Sequence, residues 1–229
     1  MAFQFIPSEK VEVPKLEFKP QVVVEPQKTA LLIVDMQNDF VKKKGKLYVP
    51  AAQQTVLGIR ELLRAARSAG SKIVYTQDTH YDGDREWSLW GEHCRADSWG
   101  WKMIDELQPA PGDLICRKSR YNGFYDTWLD HYLSRVWHVT DLIIVGTMSN
   151  VCVVQTAGSA ALRWYRIIIP ANGISANTAF DQALTLRQVS FLYAGDLVKS
   201  VEDIRFLSKQ VNTSAQTTNH IFDKRKEAI

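Results

Sequence analysis

Residues 141–152 read Asp-Leu-Ile-Ile-Val-Gly-Thr-Met-Ser-Asn-Val-Cys: an apolar run that breaks at Gly146 and delivers Cys152 where a helical pattern begins. Leu142–Val145 shows no polar alternation, which is the pattern of a strand covered on both faces. Downstream, Val151–Trp164 has helical spacing, followed by a strand at Ile167–Ile169 that stops at Pro170. Upstream, Ala30–Val34 (ALLIV), Lys72–Thr76 (KIVYT) and Asp113–Cys116 (DLIC) are strands of the same kind. Between the first two lies a helix over Ala51–Ala69, with Val56, Ile59, Leu62, Leu63 and Ala66 on one face and Gly70 ending it. A short helix near Gly100–Leu107, helices over Tyr125–Val136 and Ala179–Ala194, a weak strand near Leu197 and a last helix from Val201 complete the expectation. Strands alternating with helices imply right-handed crossovers, hence an α/β fold: a three-layer α-β-α sandwich with a doubly wound parallel sheet of five to six strands.

This core is expected to span residues 28–211. Residues 1–27, with their early prolines and Val22-Val23-Val24, read as an extended arm over the domain or a neighbouring subunit, and 212–229 as a polar tail. No apolar stretch is long enough for a membrane span and the start has no signal-peptide core, so a cytoplasmic protein is expected, without a membrane partner. A net charge of +3, spread along 229 residues, argues weakly for nucleic acid and is consistent with a small uncharged substrate. Three cysteines cannot all pair with one another, so the question is whether one thiol is reactive.

Doubly wound sheets bind ligands beyond the carboxyl ends of their strands. Asp35 follows the first strand, Lys118 the third and Cys152 the fourth. Each has a bland alternative: a loop cap for Asp35, a solvated basic turn for Arg117–Arg120, a buried structural thiol for Cys152. Together they are the parts of a covalent amidase, a nucleophile with a base and a cation, and a helix N-terminus is expected to lower the thiol pKa. The second strand leads into Asp78-Thr79-His80, with His93 farther on, a set that suits a divalent metal, although an Asp-x-His in a loop is more often a hydrogen-bonded pair. Trp87, Trp90, Trp99 and Trp101 cluster nearby, as pocket lining or interface packing; Phe40, Tyr121 and Phe124 are further candidates for pocket walls.

Three blocks, TALLIVDMQNDF (29–40), CRKSRYNGFYDTWLDHYL (116–133) and LIIVGTMSNVCVVQTAGSAALRWY (142–165), resemble the signature segments of the isochorismatase-like cysteine hydrolases. The resemblance covers about residues 28–200. It implies the isochorismatase-like hydrolase fold, an Asp35–Lys118–Cys152 triad, a cis peptide ahead of Met148, and an oxyanion hole from the N–H groups of Met148 and Cys152. Members that cleave the vinyl ether of isochorismate generally lack the cysteine, so Cys152 implies amide or ureide cleavage. TQDTHYDGDREWSLWGEHC (76–94) resembles the metal-binding segment of nicotinamidases. It implies a zinc-like ion on Asp78, His80 and His93 and an aromatic wall at Trp90. The expectation is a nicotinamidase-like cysteine amidohydrolase, with one divalent metal, no organic cofactor, a small amide substrate and a homo-oligomeric state, dimer or tetramer. Ser149-Asn150-Val151 before the cysteine departs from the nicotinamidase pattern and is closer to ureidoacrylate-type and carbamoyl-amide hydrolases. A metal-independent ureide hydrolase is therefore the alternative, and a non-catalytic α/β scaffold the alternative of another class.

Overall fold

In the computed structural model, which describes residues 13–208, the elements run Val22–Val24 (β1), Thr29–Val34 (β2), Asn38–Val41 (α1), Pro50–Ala69 (α2), Lys72–Asp78 (β3), Trp87–Trp90 (α3) and Leu114–Lys118 (β4). They continue as Asp141–Thr147 (β5), Val154–Ala161 (α4), Arg166–Pro170 (β6), Ile174–Ser175 (β7), Ala179–Phe191 (α5), Asp196–Val198 (β8) and Ile204–Phe206 (β9). The main sheet is a parallel path of six strands, β4-β3-β2-β5-β6-β8, with β7 pairing the end of β5. The order grows outward from β2 in one direction and from β5 in the other, so the topological switch lies between these two strands.

Both faces of this sheet are buried, as the unalternated apolar runs require. Leu31 and Ile33 of β2 point to one layer with Ile143, Val145 and the α2 residues Ile59, Leu62, Leu63 and Ala66. Ala30, Leu32 and Val34 point to the other, with Leu142, Ile144, Val153, Ala157, Ala160, Leu186 and Val189. Pro50 opens α2, where a missing N–H costs nothing, and Gly70 (φ 84°) closes it by donating to the carbonyls of Ala66 and Arg67. At the end of β5 only glycine fits. Gly146 has φ 119°, and a Cβ there would lie 2.1 Å from the Val34 carbonyl oxygen. That close approach holds β5 flush against β2 where both strands leave the sheet.

The helix expected over Tyr125–Val136 begins only at Leu129 and passes into a wide π-type turn at His131–Val136. Asp126, at φ 53°, cannot continue a right-handed helix, and Asn122 and Thr127 tie the preceding loop with side-chain hydrogen bonds to Phe124 N and Gly123 O. The short helix expected near Gly100–Leu107 reduces to one 3₁₀ turn at Asp105–Leu107. The last helix expected from Val201 is also corrected. Ser200 and Asp203 cap a turn of three residues, after which β9 runs parallel to β1. Local capping starts a helix there, but the buried Val22 and Val24 offer a strand partner, and the tertiary pairing wins.

Residues from Lys19 to Val24 run along the domain. Lys19 N–H donates to the Leu197 carbonyl at 2.8 Å beside the β8 edge, and Leu16 and Phe18 pack on the core. The rest of the expected arm, residues 1–12, and the expected tail at 212–229 lie outside the described residues. No helix among the described residues is long and apolar enough to cross a membrane.

Candidate active site

The register of the sheet brings the candidate residues together. Val34 stands opposite Thr76 and Gly146, and Asp78 opposite Lys118, so Asp35, Asp78, Lys118 and Thr147 emerge along one edge astride the switch point. Asp35 turns out of β2 with φ 50°, a left-handed conformation that Asp tolerates better than most residues. Its Oδ1 accepts a hydrogen bond from Thr76 Oγ1 at 2.7 Å, and its Oδ2 lies 2.7 Å from Lys118 Nζ. Lys118 Nζ also stands 3.2 Å from Asp78 Oδ1 and 3.8 Å from Cys152 Sγ. Carboxylate, ammonium and thiol are thus in one cluster, with Asp35 and Lys118 almost wholly buried and Cys152 opening onto a cavity.

Electrostatics set the resting state of the cluster. Burial weakens the Lys118 ammonium, but Asp35 and Asp78 outweigh it and hold the group charged, far above the usual lysine range. Burial raises Asp35 against the pull of Lys118, whereas at Asp78 burial is overcome by Lys118 and by the hydrogen bonds with His80 and His93, which hold this carboxyl low. The Cys152 thiol is pushed up, first by burial, against the opposing pull of Lys118 and with help from Asp35 and Asp78. The lowered thiol pKa expected from a helix N-terminus is therefore not what the packing produces. A five-residue π-type turn, Ser149–Val153, precedes α4, and the surrounding carboxylates outnumber the one ammonium. At rest the sulfur carries its proton, and attack requires a base.

The peptide between Thr147 and Met148 is cis, as the resemblance implies, and Met148 and Cys152 both line the cavity. That cavity has a volume of about 260 Å³, the size of a small metabolite, with Phe40, Trp90 and Tyr121 on its walls. Trp90 Nε1 donates to Tyr121 Oη at 2.9 Å, which ties two walls together. Phe124 is a correction: it does not line the cavity but packs in the core beneath, 6.1 Å from the Tyr165 ring and under the Arg163 guanidinium. The tryptophans divide by function. Trp87 donates to the His93 carbonyl and Trp101 to Thr79 Oγ1, bracing the loops around Asp78, while Trp99 is half exposed.

Asp78, His80 and His93 are buried, and one donor atom of each lies within 4.8 Å of the others. His80 Nδ1 is bound to Asp84 Oδ2 at 2.8 Å and His93 Nδ1 to the Gly91 carbonyl at 2.8 Å. With each Nδ1 bound in this way, each Nε2 faces Asp78 Oδ2, at 3.1 and 3.5 Å, and is the nitrogen that would coordinate an ion on giving up its proton. Outer carboxylate and carbonyl partners of this kind are what orient imidazoles toward a metal. The donor set therefore fits a divalent ion, with further positions open. Such an ion would supply a fixed positive charge at the cavity wall, where Asp78 and His93 are exposed to it.

Several cavity residues were not anticipated. Lys46, Leu47, Tyr48, Glu86, Thr147, Val151 and Asn177 also line it. Gln37 is fully buried and locks the loop after β2 to the end of β3: its Nε2 donates to the carbonyls of Asp78 and Trp101, and its Oε1 accepts from Asp78 N at 2.8 Å. Only the basic run Lys42-Lys43-Lys44-Gly45-Lys46, one residue past the first block, was a visible signal.

Residues 29–202 match the isochorismatase domain. The chain belongs to the isochorismatase family. The ureidoacrylate amidohydrolase of Yersinia enterocolitica is 32% identical over 229 aligned residues, covering 88% of this chain and 97% of that protein. Among solved structures, the N-carbamoylsarcosine amidase of Thermoplasma acidophilum is 33% identical with a TM-score of 0.69, covering 75% of this chain and 95% of that one. A nicotinamidase of Bacillus subtilis is 25% identical with a TM-score of 0.71, over 75% of this chain and all of the other. The isochorismatase-like fold expected from the sequence is thereby shown. The nicotinamidase-like branch is not: identity is higher to the two proteins named for ureide and carbamoyl substrates.

Proposed function

We propose that this isochorismatase-family protein is a cysteine amidohydrolase that cleaves a small ureide or carbamoyl amide. The observation that carries the reading is the buried Lys118 ammonium, 2.7 Å from Asp35 and 3.8 Å from the Sγ of Cys152, the thiol that lines a cavity sized for such a molecule. Because the thiol is protonated at rest, Asp35 takes its proton as the sulfur attacks the ureide carbonyl. Lys118 offsets the negative charge that stays in the cluster. The N–H groups of Met148 and Cys152 hold the developing oxyanion, a contribution of order 3 kcal/mol per donor. Collapse breaks a carbonyl C–N bond, and Asp35 returns its proton to the departing nitrogen. Water then adds to the S-acyl intermediate with Asp35 again as base, and Cys152 regains its proton. Whichever C–N bond breaks first, the products after carbamate decay are the amine, carbon dioxide and ammonia. Asp78, His80 and His93 would hold a divalent ion that orients a polar atom of the substrate; the steps above use only the chain's own groups.

A second reading, nicotinamide hydrolysis, is favoured by that donor set and by Trp90 on the wall. Ammonia release from ureidoacrylate, N-carbamoylsarcosine and nicotinamide separates the two. Turnover of the first pair above the third supports the ureide reading, and nicotinamide alone overturns it. Cys152→Ala should abolish turnover with the circular dichroism spectrum unchanged, whereas retained activity would sink the covalent route; a wild type that turns over none of the three would return the scaffold alternative.

A further inference from the structure

The loop between α1 and α2 lays a basic lip on the cavity. Lys42 pairs with Glu106, Lys43 and Lys44 are exposed with no ion pair among the described residues, and Lys46 lines the cavity itself. The loop is fixed at its base by Asp39. Asp39 Oδ1 accepts from Lys46 N at 3.1 Å, Oδ2 accepts from Cys94 N at 2.8 Å, and a Cβ on Gly45 would lie 2.3 Å from the Asp39 carbonyl oxygen. The Lys46 backbone is therefore placed, while among the described residues its side chain is held only by Glu92 Oε1 at 2.9 Å, an exposed pair of small net worth. Glu92 does not depend on that contact, because Arg95 binds it through Nε at 3.2 Å and Nη2 at 2.8 Å. Lys46 can exchange Glu92 for another anion without stranding a charge.

Among the described residues, no other Lys or Arg lines the cavity. Its other formally charged lining residues are the carboxylates Asp78 and Glu86; Asp78 is engaged by Lys118, and Arg120, which approaches Glu86 at 3.5 Å, is not among the lining residues. An anionic tail reaching outward from Cys152, away from the Asp78, His80 and His93 cluster, meets the Lys46 ammonium at the mouth.

We infer that Lys46 binds a carboxylate on the substrate, so that the pocket takes a ureido or carbamoyl carboxylic acid in preference to a neutral amide. This rests on the reading of the cavity as an amidohydrolase site, and it revises the uncharged substrate suggested by the net charge. The exposed Lys43 and Lys44 add a local field that steers anions toward the mouth, which the whole-chain balance of +3 conceals.

Calorimetric titration of the Cys152→Ala protein with N-carbamoylsarcosine and with its methyl ester tests this without turnover. The acid should bind about ten- to hundredfold more tightly than the ester, the range of one charge-assisted contact. Lys46→Met should erase that ratio, Lys46→Arg should preserve most of it, and added salt should shrink it. Equal binding of acid and ester, binding of neither, or a ratio unchanged in Lys46→Met overturns the inference. If the acid preference is present but the wild-type protein releases no ammonia from the acid, Lys46 stands and the proposed reaction falls.

Discussion

Lys118 Nζ lies 3.2 Å from Asp78 Oδ1, so the ammonium that pairs with Asp35 is also bound to the carboxylate facing His80 and His93. The nucleophile cluster and the candidate metal cluster therefore share one cation, and neither can be altered without the other. Removing it leaves the buried Asp35 carboxylate without a cation and Asp78 with its histidine partners alone. Lys118→Met should lower unfolding free energy by about 3–5 kcal/mol in urea titration. Adding Asp35→Asn should return part of that loss, because the stranded charge is gone. Additive losses in the double variant would contradict the shared-cation account.

Asp35 is assigned the proton of Cys152, since burial and the neighbouring carboxylates keep the thiol neutral at rest. Asp35→Asn keeps the shape and removes the base. Its kcat should fall by about 10⁴-fold or more, as for other members of interdependent catalytic groups, with the folded state retained. A loss below tenfold would mean that another base takes the proton.

Purified protein should contain about one equivalent of a zinc-like ion per chain by elemental analysis, and His80→Ala combined with His93→Ala should remove it. The sharper test is Asp84→Asn. Asp84 contacts His80 Nδ1 and lies outside the donor group, so its loss should weaken affinity by about 10- to 100-fold in competition with a chromophoric chelator. Wild-type protein with no measurable affinity for zinc would leave the three residues as a hydrogen-bonded cluster.

Alkaline stability should be set in part by Tyr75. Burial raises its phenol above the usual value of 10.0, with Arg67 opposing and Asp113 assisting. A folded-state pKa above the unfolded one favours folding while the group is protonated. The contribution is complete below about pH 10 and is lost as pH climbs from there toward the folded pKa, by at most about 1.4 kcal/mol per pH unit. Tyr75→Phe should flatten the fall measured by urea titration between about pH 10 and 11.5. At neutral pH it should cost about 1 kcal/mol, through the lost hydrogen bond from Arg67. An equally steep fall in the variant would assign the alkaline loss to other groups.

The regular core was legible because burial on both faces leaves a trace in one dimension. Runs such as Ala30–Val34 and Asp141–Val145 are strands with boundaries close to those read from the pattern, and the alternation with helices fixed a parallel order. Irregular segments were not legible, because long-range contacts chose them. The turn at Val201–Asp203 became the lead-in to β9 only because Val22–Val24 lies alongside, and the helix over Tyr125–Val136 lost its first turn to Asp126 and the Asn122 loop.

The same division runs through the candidate site. By itself the sequence determined the chemistry at each strand end: Asp35, Asp78, Lys118 and Cys152 are positions that an α/β sheet must deliver to its carboxyl edge. Tertiary structure alone decided how those groups behave. Register put Lys118 between two carboxylates, burial reversed the expected direction of the Cys152 pKa, and packing sent Phe124 into the core. It also brought Lys46, which the sequence had not singled out, to the mouth of the cavity. A residue's type and spacing are local properties, whereas its charge state and its neighbours depend on solvent exclusion and on contacts from strands far away in the chain.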